Sequence, residues 1–161
     1  MKHQDNQKQA VLNSYLAGIV DGEGTIGLSR KRENENWNYT YRARISVKNT
    51  NVQVLQMLKS KFGGGIARSS KRAHNRQETW NWQMNGNKQI ILPIKTLLPY
   101  LIIKKRQAML IVEFIERSGW YAYRKGNKRG TKQLPESEIR LREDFYLKIK
   151  KLNAVGAAAT K

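Results

Sequence analysis

Leu16-Ala17-Gly18-Ile19-Val20-Asp21-Gly22-Glu23-Gly24 separates two kinds of periodicity. Leading into it, Leu12, Tyr15, Leu16, Ile19 and Val20 recur at helical spacing, which predicts a helix over residues 7–21. Along another side of that helix run Ser14, Ala17, Gly18 and Asp21, at i, i+3, i+4 and i+7. Their small side chains let a second helix approach closely. Gly22-Glu23-Gly24 stops the helix. From Thr25 the pattern alternates, with Ile26 and Leu28 apolar and Gly27, Ser29 and Lys31 between them. A helix therefore leads straight into a strand and carries a carboxylate, Glu23, at the junction. Such a group is either a solvated turn residue or one ligand of Mg²⁺, whose shell a backbone carbonyl, waters and phosphate oxygens complete.

Working outward, residues 39–48 alternate again. Tyr41, Ala43, Ile45 and Val47 share one face, and Thr40, Arg42, Arg44, Ser46 and Lys48 the other, which predicts a half-buried strand with a cationic outer face. Residues 51–62 return to helical spacing through Val54, Leu55, Leu58 and Phe62, and three glycines end the helix at 63–65. Residues 66–70 and 79–84 pair as a hairpin around a basic loop, with Trp80, Trp82 and Met84 facing one way and Thr79, Asn81 and Gln83 the other. A short helix follows at 90–98. Another at 104–117 places Ala108, Ile111, Val112 and Ile115 inward, a basic aromatic loop fills 119–133, and a last amphipathic helix spans 135–153. The order is α-β-β-α-β-β-α-α-α. It makes an α+β class with a four-stranded sheet in one domain, residues 1–153, and leaves 154–161 as a frayed tail.

The 161 residues suit one domain, and 31 Lys and Arg against 12 Asp and Glu leave a net charge of +19. Small soluble domains carry about 2 to 8 charges of either sign, so this excess marks a nucleic-acid binder. Aromatics at 9% and apolar residues at 39% are too many for a disordered basic tail. With no cysteine, disulfide frameworks, thiolate metal sites and thiol nucleophiles are excluded. No apolar run approaches the roughly 20 residues of a membrane span, and the polar N-terminus lacks a secretion signal, so a soluble protein with no membrane partner is expected. The two histidines, His3 and His74, fall in a polar tail and a hairpin loop and make no catalytic constellation.

The nine-residue stretch 16–24 resembles the signature of the LAGLIDADG homing endonucleases, and the likeness in element order extends over roughly residues 8–118. It implies the family's αββαββα fold, an antiparallel four-stranded saddle sheet with helices beneath, here with extra C-terminal helices. It implies a site-specific endonuclease that breaks both strands of a long pseudo-palindromic DNA and so promotes mobility of its intron. By the resemblance Glu23 is the metal-binding carboxylate, the Gly22 carbonyl a second ligand, and Mg²⁺ the cofactor, with Mn²⁺ or Ca²⁺ able to take the site. Asp21 is then structural. One motif in this length implies a homodimer packed through Ser14, Ala17, Gly18 and Asp21 about a two-fold axis. Lys104, after Pro99-Tyr100-Leu101-Ile102-Ile103, matches the family's catalytic lysine, and it equally suits a helix cap. Asn49 falls where the family often has a water-positioning glutamine, and a gap nearby would move the match to Lys48.

With such a sheet on the major groove, the readout set is Ser29, Lys31, Arg42, Arg44, Ser46, Lys48, Arg68, Ser70, Asn81 and Gln83, since Arg pairs with guanine and Asn or Gln with adenine. Lys125, Lys128, Arg129 and Lys132 grip phosphates or face solvent. Double-stranded DNA is the expected partner, with intron RNA as a further one. An intron-splicing maturase that binds RNA without cutting DNA is the alternative reading, and the retained Glu23 and Lys104 argue for cleavage. The family's habits allow an organelle or a prokaryotic cytoplasm.

Overall fold

The computed structural model describes residues 2–32, 39–69, 78–124 and 134–158. Its elements are α1 (Lys2–Glu23), β1 (Gly24–Lys31), β2 (Thr40–Asn49), α2 (Val52–Phe62), β3 (Gly65–Arg68), β4 (Trp80–Asn85), α3 (Asn87–Leu97), α4 (Lys105–Arg124) and α5 (Glu136–Ala158), in the order the periodicities predict. The strands form one antiparallel sheet ordered β1-β2-β4-β3.

Register divides the sheet into two chemically distinct faces, because successive side chains point to opposite sides. Ile26 lies opposite Ile45, which lies opposite Met84, and Val47 opposite Trp82, which lies opposite Ile66. This apolar face is covered by helices. Leu16, Ala17 and Val20 from α1, Leu55 and Leu58 from α2, Ile90, Ile94 and Leu97 from α3, and Ala108, Ile111 and Phe114 from α4 are fully buried against it. Burying each large apolar side chain contributes about 1.5–3 kcal/mol. Phe145 and Ile149 of α5 complete the core beside β1, where Asn153 Nδ2 donates to the Ile26 carbonyl at 3.2 Å. None of the described helices is long and apolar enough to cross a membrane.

Local chemistry fixes the connections. Asn51 caps α2, its side chain accepting from Gln53 N at 2.9 Å. Gly63 and Gly64 end that helix at φ +80° and +87°, a region glycine enters without strain. A Cβ on Gly64 would also stand 2.6 Å from Met84 Cγ, and Trp82 Nε1 closes over the same turn by donating to Gly63 O at 2.8 Å. Gly24 allows the reversal from α1 into β1 with no intervening loop, since a Cβ there would lie 2.5 Å from Val20 O.

The structure departs from the sequence reading in several places. α1 continues through Gly22 and Glu23, so the glutamate rides on the helix itself. Tyr15, grouped above with the inward residues, is 47% exposed beside Val11. α3 starts at Asn87 and contains Pro93. α4 runs to Arg124, across part of the segment expected to be a loop. Beneath its extension, buried Ser118 bonds back to Phe114 O at 2.5 Å, and Arg142 of α5 donates to Ser118 O at 3.1 Å. α5 likewise stays helical to Ala158, through most of the expected tail.

Candidate active site and nucleic-acid interface

The last turn of α1, the end of β2 and the approach to α4 meet at one end of the sheet. Asp21 is 8% exposed, and its two carboxylate oxygens accept from the backbone: Oδ2 from Ile102 N at 2.7 Å and Oδ1 from Lys104 N at 2.9 Å. A single carboxylate thus pins the segment before α4 to the C-terminal end of α1. Charge-assisted bonds of this kind are about twice as strong as neutral ones. Lys104 Nζ turns back and donates to the Asp21 carbonyl. Burial lowers the pKa of its ammonium, and the nearby Asp21 and Glu23 carboxylates raise it in opposition. Lys104 therefore does cap a helix, at the C-terminal end of α1, where a cation meets the free carbonyls.

Glu23 and Gly22 are both exposed at this end. Gly24 pairs with Val47, so Asn49, two residues beyond Val47, ends its strand on the same side of the molecule. Asn49 Oδ1 accepts from Asn51 N at 2.8 Å, in the turn that starts α2. Glu23, Gly22, Lys104 and Asn49 are thereby gathered at one end of the fold, while Lys48 faces the opposite side of the sheet from Asn49. Among the described residues no three or more His, Asp or Glu side chains form a cluster that could hold a metal ion. Glu23 and the Gly22 carbonyl are hard oxygen donors open to solvent. They fit a cation such as Mg²⁺ that keeps waters and takes phosphate oxygens from a bound partner.

The outer face of the sheet is predominantly polar. Thr25, Ser46 and Gln83 lie across from one another, as do Arg44 and Asn85, Lys48 and Asn81, and Ser29 and Arg42, with Lys31 opposite Thr40 at the far end. Lys31, Arg42, Arg44 and Lys48 are exposed, and no carboxylate stands among the strand residues of this face. Ser29 Oγ donates to the Arg42 carbonyl at 3.2 Å, and Asn81 Nδ2 to Gln83 Oε1 at 3.4 Å. Arg68 is a correction to the readout set. It pairs with Trp80, which puts it on the helix-covered side, and its guanidinium forms an ion pair with Glu78. Alternation from Ile66 already required this. Ser70, Lys125, Lys128, Arg129 and Lys132 lie outside the described residues.

The small-residue stripe also divides. Ala17 is fully buried and Asp21 nearly so, both within this chain's own fold, so neither offers surface to a second copy. The exposed side of α1 is instead Val11, Ser14, Tyr15, Gly18 and Gly22, which follow 3.6-residue spacing once Tyr15 is turned outward. A Cβ on Gly18 or Gly22 would have none of the described residues within 4 Å. Ile102 and Ile103, 84% and 69% exposed, extend this apolar surface beside the Asp21 clamp. The sequence signalled them only as two adjacent apolar residues before a helix. Elsewhere a groove of about 600 Å³ lies between α1 and α2, lined by Gln9, Leu12, Gln53, Met57 and Lys61, and it contains none of the gathered residues.

Comparison with known proteins bears on the fold. No match is found among curated protein sequences. By structure the chain is similar to the homing endonuclease I-CvuI in complex with its target, at a TM-score of 0.57 and 21% identity over 91% of this chain and 97% of that one. It is similar to the archaeal intron-encoded I-Vdi141I bound to DNA, at 0.53 and 18% over 88% and 96%. The group I intron-encoded I-CeuI, also complexed with DNA, matches at 0.58 and 17% over 71% of this chain and 58% of that one. At these identities the likeness is one of fold. The family model for LAGLIDADG endonuclease matches residues 16–116, from the first residue of the motif through most of α4, and the chain belongs to that family.

Proposed function

We propose that this protein is a homodimeric, divalent-metal-dependent endonuclease that makes a double-strand break in a long pseudo-palindromic DNA and thereby promotes movement of its intron. The observation that carries the reading is the exposed Glu23 at the end of α1, beside Lys104 and at the margin of a sheet whose outer face bears, among its strand residues, four cations and no carboxylate.

The work divides by position. Arg42, Arg44, Ser46, Asn81 and Gln83 read base edges in the major groove, and Lys31 and Lys48 approach phosphates. Glu23 and the Gly22 carbonyl would hold Mg²⁺, which supplies a more acidic water and neutralises phosphate charge. Asp21 keeps Lys104 in place, where its ammonium offsets the charge that develops on the phosphate. Asn49, its oxygen occupied in the α2 turn, would address solvent through Nδ2.

The dimer has its own physical support. Gly18 and Gly22 each cost α1 about 1 kcal/mol relative to alanine, and nothing among the described residues requires either to lack a side chain. A second α1 laid against Val11, Ser14, Gly18 and Gly22 supplies the reason, since glycines let two helix backbones approach. The two-fold axis then brings two Glu23 carboxylates to a two-stranded substrate.

The test is cleavage of a plasmid library carrying a randomised site, at low salt in Mg²⁺, by wild type and Glu23→Gln. Cutting by the wild type alone, at a site with two-fold symmetry, is expected. If neither protein cuts and both bind nucleic acid, the maturase reading replaces this one.

A further inference from the structure

Arg30 faces the helix side of β1, opposite Tyr41 in the register, and it is the one cation on β1 withdrawn from the outer face. Its guanidinium bonds Glu143 of α5 at 2.6 Å and lies over two rings, 4.5 Å from the centroid of Tyr39 and 4.9 Å from that of Tyr146. The hydroxyl of Tyr41 donates to the other oxygen of Glu143, and the Tyr41 ring meets Tyr146 edge-on at 6.2 Å. Burial and the Glu143 bond raise the pKa of Tyr41, so its hydroxyl stays a donor. One carboxylate of α5 therefore holds both strands of the β1–β2 hairpin.

The clamp lies far from the chemistry. From Gly24 to Lys31 is seven residues, roughly 23 Å at about 3.3 Å per residue. On a duplex rising about 3.4 Å per base pair, this spans about seven steps. The held residues sit directly beside Ser29, Lys31 and Arg42, which face outward at the far end of the hairpin. A hairpin end pinned by one partner presents those side chains in one register. Released, it can shift by more than the tolerance of a hydrogen bond to a base edge.

We propose that Glu143 is a positioning residue for DNA specificity: by holding Arg30 and Tyr41 it sets where the far end of the β1–β2 hairpin meets the outer base pairs of the target. The proposal rests on the endonuclease reading above. It adds that α5, which carries none of the residues gathered around Glu23, determines discrimination at one part of the target.

The experiment measures cleavage by the full-length protein on its selected target and on every single-base-pair variant of it, for wild type, Glu143→Ala and Glu143→Gln, alongside amide hydrogen exchange of the free proteins. For Glu143→Ala, discrimination at the outer base pairs, about tenfold or more per position in the wild type, is expected to fall towards unity. Discrimination at central positions and kcat should be retained, and KM should rise. Exchange should quicken at residues 29–31 and 40–42 and stay unchanged at 24–26 and 45–48. Glu143→Gln, which keeps an acceptor and loses the charge, should fall between the two and guards against a misfolded alanine variant. A wild-type discrimination profile in Glu143→Ala, or a uniform loss across all positions, overturns the proposal. If wild type itself cuts no selected site, the endonuclease reading fails first and the proposal with it.

Discussion

At the scale of single residues, three carboxylates and one glycine do separable jobs. Glu23 makes no clamp contact, so Glu23→Gln should leave folding and duplex binding intact and lower cleavage by at least about 100-fold. A gel-shift titration beside a nicking assay would check both halves. Asp21 does the opposite work. Asp21→Ala strands two backbone N–H groups, at Ile102 and Lys104, and should cost about 1–3 kcal/mol by urea denaturation, with cleavage lost through a displaced Lys104. Gly24→Ala should destabilise by a similar amount, about 1–3 kcal/mol, because the new Cβ meets the backbone carbonyl of Val20 and no flexible side chain. Glu23, Asp21 and Lys104 were legible from the motif and from the segment after Pro99. The Arg30–Glu143–Tyr41 clamp was not, because Glu143 lies more than 100 residues from both its partners and an ion pair leaves no periodic trace.

At the scale of elements, α1 has two faces with opposite obligations, and substitutions one residue apart should separate them. Ala17→Leu adds three carbons where the side chain is fully buried, so it should lower stability by about 1–3 kcal/mol through overpacking. Gly18→Leu points into open space. The single chain should keep its stability, or gain slightly from better helix propensity, and sedimentation should find a monomer that no longer cuts. A Gly18→Leu protein that remained dimeric would place the interface elsewhere. The element order was legible because the hydrophobic period changes between 3.6 and 2 at each junction. The faces of α1 were harder to read, since Tyr15 and Ala17 can be drawn on either side of a helix with little net amphipathicity, and only the packing of Leu16 and Val20 fixes the rotation. The packing of α4 on α5 was not legible either: Arg142 forms an ion pair with Glu138 at 2.6 Å and also reaches Ser118 O, a tertiary contact with no trace in the local sequence.

At the scale of the whole molecule, a charge of +19 is not spread evenly over its chemistry. Among the described residues the exposed cations of the outer face are Lys31, Arg42, Arg44 and Lys48. Cations on the helical side pair locally in several cases, Arg30 with Glu143, Lys95 with Glu116 and Arg140 with Glu136. Duplex binding in which Lys31 and Lys48 of each protomer neutralise about four phosphates should follow log K against log salt with a slope of roughly −3.6, taking about −0.9 per phosphate. Lys48→Ala then tests the symmetry as well as the contact. In a two-fold dimer every substitution counts twice, so the slope should become shallower by about 1.8, whereas a monomer bound to one half-site loses only about 0.9. Arg30→Ala, which removes a cation already neutralised by Glu143, should leave the slope near its wild-type value even though the total charge falls by the same amount. Equal changes for the two variants would mean that the field of the whole molecule, and not the outer face of its sheet, meets the DNA.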